Sequence, residues 1–374
     1  MNKKIRIGCA SGFWGDTDIA APQIIEKGNV DYLVCDYLSE VTMSILSGAK
    51  LKSGEYGYAK DFINHVGPLL KTIKQNKIKV ISNAGGVNLD ACKKALSNKA
   101  KKENINLKII TVEGDDLSGI QKDLQKMSIK EIDSGKPLPE NLLSINAYLG
   151  APGIKRALDQ GADIVITGRC VDSALALGPL MYEFNWKENE YDLLASGSLA
   201  GHIIECGAQS TGGNFTDWEI IDNFEDIGFP IVEVEENGEF IVTKPEGTGG
   251  IVNFGTIAEQ LLYEIGDPGA YILPDVICDF TNVNIKNLIL KNSRLGVAVK
   301  DGSNVYLENI VSQNNEYDLA VFNKKNEFDI PNLKIKNFLK KNKKILQSKN
   351  SKLVIDEKTI FGEQSNAYIK SILY

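Results

Sequence analysis

Short apolar runs, each followed by glycine, asparagine or an acidic residue, recur through the first 180 positions. The runs at 5–9, 31–35, 79–82, 107–112 and 163–167 predict buried strands. Stretches of helical period lie between them, at 22–27, 41–46, 62–75 and 89–101. Alternating strand and helix predicts an α/β fold, with a parallel sheet flanked by helices. Such a sheet gathers the loops after its strands on one edge, where ligands bind. From 181 to about 280 the pattern changes. Residues 230–244 alternate on either side of Asn237-Gly238, which predicts a hairpin with a type I′ turn in a small antiparallel subdomain.

Beyond Asp279-Phe280 the alternation becomes repetitive, and Asn and Lys displace Gly. Val283-x-Ile285-x-Asn287-Leu288 recurs as Val305-x-Leu307-x-Asn309-Ile310 and as Leu333-x-Ile335-x-Asn337-Phe338. Asn292, Asn314 and Asn342 follow at similar offsets, and Leu295-Gly-Val297-x-Val299 matches Leu319-Ala-Val321. The first spacing is about 22 residues and the second longer, as in solenoids. Period-2 alternation puts one face of each strand inward, and Asn at a turn tolerates the left-handed conformation and stacks as a ladder. The segment resembles a short right-handed parallel β-helix of the kind found in surface- or polysaccharide-associated proteins; a few strands in a small sheet are the simpler alternative. The expected domains are 1–281, with a 1–180 core and a 181–281 subdomain, and a 282–374 tail.

Charge narrows the partners. Forty-two basic against 49 acidic side chains leave a formal charge of −7, with no excess to neutralise phosphates, so nucleic acid is not expected as the main partner. No apolar run is long enough to span a bilayer, and no secretory h-region follows Lys3-Lys4. Six scattered cysteines without CxxC spacing suit reduced thiols in a cytoplasmic protein.

Candidate chemistry lies in the loops after the strands. Gly8-Cys9-Ala10-Ser11-Gly12-Phe13-Trp14-Gly15-Asp16-Thr17 joins a strand to a helix; Ser11, Gly12 and Gly15 suit close backbone approach to a ligand, or else a tight capped turn. Asp36 follows the second strand, Asn83-Ala84-Gly85-Gly86 the third, Glu113-Gly114-Asp115-Asp116 the fourth, and Gly168-Arg169-Cys170-Val171-Asp172-Ser173 the fifth. Single carboxylates there are often helix caps. Together, Asp36, Glu113, Asp116 and Asp172 are candidates for acid–base work or for holding Mg2+. Arg169 offers a fork to a carboxylate or phosphate, or a salt bridge to Asp172. His202 and Glu205 stand at i, i+3 on one helical face, a candidate proton shuttle or a structural pair. Asn214, in a flexible polar run, and Lys244, beside Gly247-Thr248-Gly249-Gly250, are ligand-binding candidates against the alternative of plain loops.

The stretches IRIGCASGFWGDT (5–17), DYLVCDYLSEVTMSIL (31–46), KVISNAGGVN (79–88), VEGDDL (112–117), ADIVITGRCVDSALALGPL (162–180), GSLAGHIIECGAQSTGGNFTDW (197–218), VTKPEGTGG (242–250) and EQLLYEIGDPGAYILPDV (259–276) resemble the acyclic terpene utilisation, AtuA-type, family. The resemblance implies a role in bacterial breakdown of branched or terpenoid acids through acyl-CoA esters. Family members continue past the stretch at Cys278-Asp279-Phe280-Thr281 with more of the family domain, whereas here the repeats begin, as in a fusion. The expectation is a hydratase, lyase or isomerase acting on a small carboxylated or CoA-linked substrate, with homo-oligomers in view. The alternative is a non-catalytic binding or assembly protein. Metal and cofactor stay open.

Overall fold

A computed structural model describes residues 3–281, 283–286, 289–291, 295–300, 304–313, 315–323, 330–340 and 344–373. Two compact units emerge: one of Met1–Asn214, Asp222–Gly250 and Leu273–Ile277, the other of Phe215–Ile221, Ile251–Ile272 and Cys278–Tyr374.

In the first unit the five predicted strands appear as β1 (Lys4–Cys9), β2 (Tyr32–Cys35), β3 (Lys79–Ser82), β4 (Ile109–Val112) and β5 (Ile164–Thr167). With β6 (Ile231–Glu235) and β7 (Phe240–Thr243) they form one sheet, ordered β4-β5-β3-β2-β1-β6-β7. The first five strands are parallel; β6 pairs antiparallel with β1 and β7 antiparallel with β6. The expected antiparallel element is thus an edge of the main sheet. Its turn departs from the expected type: Gly238 has φ +85°, Asn237 does not enter the left-handed region, and the Gly238 N–H donates to the Glu235 carbonyl. One left-handed glycine after an ordinary turn fits a loop longer than two residues, where type I′ would need both central residues at positive φ.

Helices α1 (Ala20–Lys27), α2 (Glu40–Lys52), α3 (Lys60–Val66), α4 (Leu70–Gln75), α5 (Leu89–Lys102), α6 (Gln121–Lys126), α7 (Pro152–Asp159), α8 (Ala174–Glu183) and α9 (Tyr191–Glu205) follow. Ser39 caps α2 by accepting the Thr42 N–H, and Asn88 caps α5 by accepting that of Ala91. Ile24, Phe62, Leu70 and Leu96 of α1, α3, α4 and α5 share a core with Leu33, Cys35, Val80, Ile164 and Ile166. These strand residues alternate, so Tyr32, Val34, Ile81 and Val165 turn to the opposite face. There α7, α8 and α9 pack in series, and the Tyr32 hydroxyl donates to Glu183 of α8 at 2.6 Å. Helices on both faces bury the sheet, which explains the unbroken apolar runs.

The second unit contains α10 (Phe254–Leu262). Its Asn253–Thr256 capping box satisfies the first turn. After the two-residue strands β8 (Tyr271–Ile272) and β9 (Ile277–Cys278) come β10 (Asn284–Lys286), β11 (Ile289–Lys291), β12 (Leu295–Lys300), β13 (Asn304–Gln313), β14 (Tyr317–Phe322), β15 (Asn332–Lys340), β16 (Ile345–Gln347), β17 (Lys352–Ile355), β18 (Lys358–Ile360) and α11 (Asn366–Leu373). β10 and β11 both pair with β13, which continues through β15 to β17; β12, β14 and β16 form a second sheet. Every pairing in these two sheets is parallel except β17 with β18. Val297, Leu307, Ile310, Leu319, Val321, Leu333, Ile335 and Phe338 fill a common core.

The repeat alignment read from the sequence matches this register at several points: Ile285 pairs with Leu307 and Leu307 with Ile335, while Val305 meets Leu333 and Ile310 meets Phe338. Asn309 and Asn337 have φ of 57° and 56°, and Asn337 Nδ2 donates to Asn309 Oδ1 at 2.9 Å. The other sheet is registered two residues away from a match that starts at Leu295, since Val297 pairs with Leu319 and Val299 with Val321. A two-residue slip keeps every side chain on its face, so alternation alone does not discriminate the two registers. Asn287, Leu288, Asn292, Asn314 and Asn342 lie outside the described residues.

Candidate functional site

The C-terminal ends of β1, β2, β3 and β5 bring a set of polar side chains to the face covered by α8 and α9. Continuing the alternation of β2, Asp36 points to that face and is buried. Asn83, one residue past β3, is also buried; its Nδ2 donates to Asp36 Oδ1 at 2.6 Å, while its Oδ1 accepts the Tyr37 N–H at 2.8 Å. The Leu38 N–H adds a second bond to the same Asp36 oxygen at 3.2 Å. Ser11 donates its hydroxyl to the Asp36 carbonyl at 2.8 Å and joins the first loop to the second.

Burial pushes the Asp36 carboxyl up to about 7, and the nearby Glu205 charge pushes the same way; the Asn83 bond, the Leu38 N–H and the Arg169 charge oppose it. Glu205 is at the end of α9, and its Oε1 lies 2.8 Å from His202 Nδ1, with the imidazole fully buried. The i, i+3 spacing read from the sequence therefore does place both groups on one helical face. The Cys9 thiol donates to the Ser11 and Glu205 carbonyls, which ties β1 to α9. Burial also raises the thiols of Cys9, Cys35 and Cys170, with Cys35 pushed up to about 12, so these three are held as thiols at neutral pH.

Arg169 is buried and turned onto the protein itself. Nη1 donates to the Leu38 carbonyl and, at 3.1 Å, to Asp172 Oδ1; Nη2 donates to the Tyr148 hydroxyl at 2.9 Å. Its guanidinium carbon lies 4.2 Å from the Tyr148 ring centroid, and Glu40 Oε1 is 3.6 Å from Nη2. The salt bridge to Asp172, one of two alternatives in the sequence, is present. Tyr148 carried no sequence signal, because it comes from an irregular loop.

Between the loops after β3 and β4 opens a cleft of about 330 Å3, with Lys50, Asn88, Glu113, Asp116 and Asn146 on its walls. Glu113 and Asp116 are exposed here, whereas Asp36 is buried. The buried carboxylate of this loop is Asp115, which accepts the Arg169 N–H at 2.8 Å and Asn146 Nδ2 at 2.9 Å. A Cβ on Gly168 would fall 2.4 Å from Asp115 Oδ2, so the glycine makes room for this carboxylate. Burial raises Asp115 as well.

The remaining candidates serve the loops that carry them. The Gly12 N–H donates to the Asp16 carboxylate and the Gly15 N–H to that of Asp61, so both are engaged by the protein's own side chains. A Cβ on Gly85 would meet the Thr167 carbonyl at 2.6 Å, and one on Gly86 would meet Leu46, so both permit close packing. Asn214 is exposed, and Lys244 Nζ bonds to the Thr248 carbonyl at 2.6 Å within its own turn. Among the described residues, no three His, Cys, Asp or Glu side chains converge as a metal site; the carboxylates suggested for Mg2+ are dispersed. No helix there is long and apolar enough to cross a membrane.

A family model described as acyclic terpene utilisation family protein AtuA matches residues 5–302. The chain belongs to the acyclic terpene utilisation family. The match covers every element of the polar site and runs past residue 281 into the first of the Asn-rich repeats. No curated protein and no solved structure matches the chain. Membership of the AtuA family suggests involvement in acyclic terpene utilisation, and the chemistry must be argued from Asp36 and its neighbours.

Proposed function

We propose that this chain is an acid–base enzyme of acyclic terpene utilisation. It would act as a hydratase, lyase or isomerase on a small carboxylated or CoA-linked terpenoid substrate. The reading rests on Asp36: a buried carboxyl pushed up to about 7, at the sheet edge where ligands bind in such folds, gives and takes a proton with equal ease at neutral pH. Asn83 fixes one of its oxygens, and the His202–Glu205 pair supplies a second proton-carrying group on the same face. Such a pair suits a reaction that removes a proton beside a carbonyl and returns one to a neighbouring carbon or oxygen. Arg169 enters as a positioning residue that holds the loops after β2 and β5 together, and Asp115 links it to the cleft. Lys50 is a cation on the cleft wall for an anionic end of the substrate.

A thermal-shift screen with short branched acids and their CoA thioesters, followed by turnover assays on the compounds that bind, tests the proposal. Asp36→Asn should keep ligand-induced stabilisation and lose turnover. Turnover retained in Asp36→Asn would remove Asp36 from the chemistry.

A second reading, a non-catalytic binding or assembly protein, draws on Arg169, which bonds to Leu38, Asp172 and Tyr148 of the protein itself. For residues 282–374 we propose a short parallel β-helix joined to the family domain; two parallel sheets that take strands alternately, and the Asn309–Asn337 ladder, support it. Cysteines kept as thiols suit a reducing, cytoplasmic setting.

A further inference from the structure

We propose that α2 is a self-association surface, pairing antiparallel across a two-fold axis with α2 of a second copy. The helix buries Thr42, Met43, Leu46 and Ser47. Its solvent face carries large apolar side chains where an ordinary amphipathic helix is polar, with Val41 69%, Ile45 53% and Leu51 71% exposed. Between these stand Ser44 and Gly48, and a Cβ on Gly48 would meet nothing within 4 Å. Charge on this face is confined to its ends, Glu40 at the start and Lys52 at the finish. Lys50 is turned to the Val87 carbonyl.

This face is complementary to itself in one register. An antiparallel pair centred near residue 46 sets Glu40 against Lys52 of the second copy, Val41 against its Leu51 and Ser44 against its Gly48. Opposite charges meet at both ends, large apolar side chains meet between them, and two small residues let the backbones approach at the crossing. Ile45 lies beside the axis and meets its own counterpart. A closed two-fold contact of this kind is isologous, so each favourable pairing occurs twice. The helix dipoles, also antiparallel, add to the match. Glu40 already approaches Tyr148 and Arg169, so the second copy's Lys52 would arrive at the rim of the polar site. One helix pair is a small interface, of the weak and transient class.

Sedimentation equilibrium of the full chain over micromolar concentrations tests the proposal. The parent should show a monomer–dimer equilibrium. Gly48→Gln, in open space on the monomer, should fold normally and weaken the dimer about tenfold or more, as should Ile45→Glu. Glu40→Lys should weaken it too, and Glu40→Lys with Lys52→Glu should restore it. A parent that stays monomeric, or a dimer indifferent to Gly48→Gln, would overturn the proposal. A double reversal that fails to restore the dimer would overturn the antiparallel register.

Discussion

Replacing Asp36 with asparagine tests the electrostatics of the site without activity. Asp36 is buried with a carboxyl at about 7, against 3.8 for an unperturbed aspartate. Because the folded-state pKa is raised, the folded protein holds a proton between about pH 4 and 7 that the unfolded chain has released. Over that window stability falls as pH rises, by about 1.4 kcal/mol per pH unit, and it is flat on either side. The whole fall is on the order of 4 kcal/mol if Asp36 titrates alone, and less to the extent that Glu205 shares the proton. The asparagine is isosteric and neutral, and its amide oxygen can still accept from Asn83 Nδ2 and the Leu38 N–H. The variant should therefore match the parent near pH 4 and exceed it above pH 7. Urea titrations at half-unit intervals from about pH 4 to 8.5 measure the difference. A parent-minus-variant difference that does not change with pH would mean that Asp36 ionises like an exposed aspartate, and the acid–base argument would fail with it.

Substitutions at three further positions probe the supports of the site and the second unit. Arg169→Ala should cost about 3 kcal/mol in denaturant unfolding, because it removes the donor to the Leu38 carbonyl and the cation beside Asp172; Arg169→Lys should recover only part, since one ammonium cannot reach Leu38, Asp172 and Tyr148 together. Gly168→Ala should cost about 2 kcal/mol by pushing the Asp115 carboxylate off the Arg169 N–H and Asn146; a loss below about 0.5 kcal/mol would show that Asp115 has room to move. Asn337→Ala should cost about 1–2 kcal/mol in thermal melts by combining a left-handed backbone penalty with loss of the bond to Asn309, and Asn337→Gly should cost less because glycine adopts that conformation freely.

What the sequence revealed and what it hid follow from the range of the forces involved. Local apolar runs bounded by glycine and asparagine located all five parallel strands within about two residues at each end, since burial on both faces leaves no other pattern. The ladder of Asn309 and Asn337 was visible because a repeat copies its turn residues at fixed offsets. The hairpin was found but its place was not: whether β6 pairs with β1 or stands apart depends on a contact more than two hundred residues away in sequence. Within one loop the sequence pointed to Glu113 and Asp116 and passed over Asp115, whereas tertiary packing against Gly168 and Arg169 turned Asp115 inward and left the other two exposed.

The same distinction decides how the polar site should be understood. Asp36, Asn83 and Ser11 could be singled out because each closely follows a strand, and the parallel sheet brings such positions together whatever the rest of the chain does. Arg169 shares that placement, yet its partners Tyr148 and Glu40 come from a loop and a helix that strand patterns do not constrain. Its guanidinium is consequently a clamp on the loops. A carboxyl that titrates near neutrality gains nothing for stability from its burial, and an asparagine would keep its hydrogen bonds without the charge. The pH-dependent stability difference and the loss of turnover in Asp36→Asn must therefore appear together if the site is catalytic.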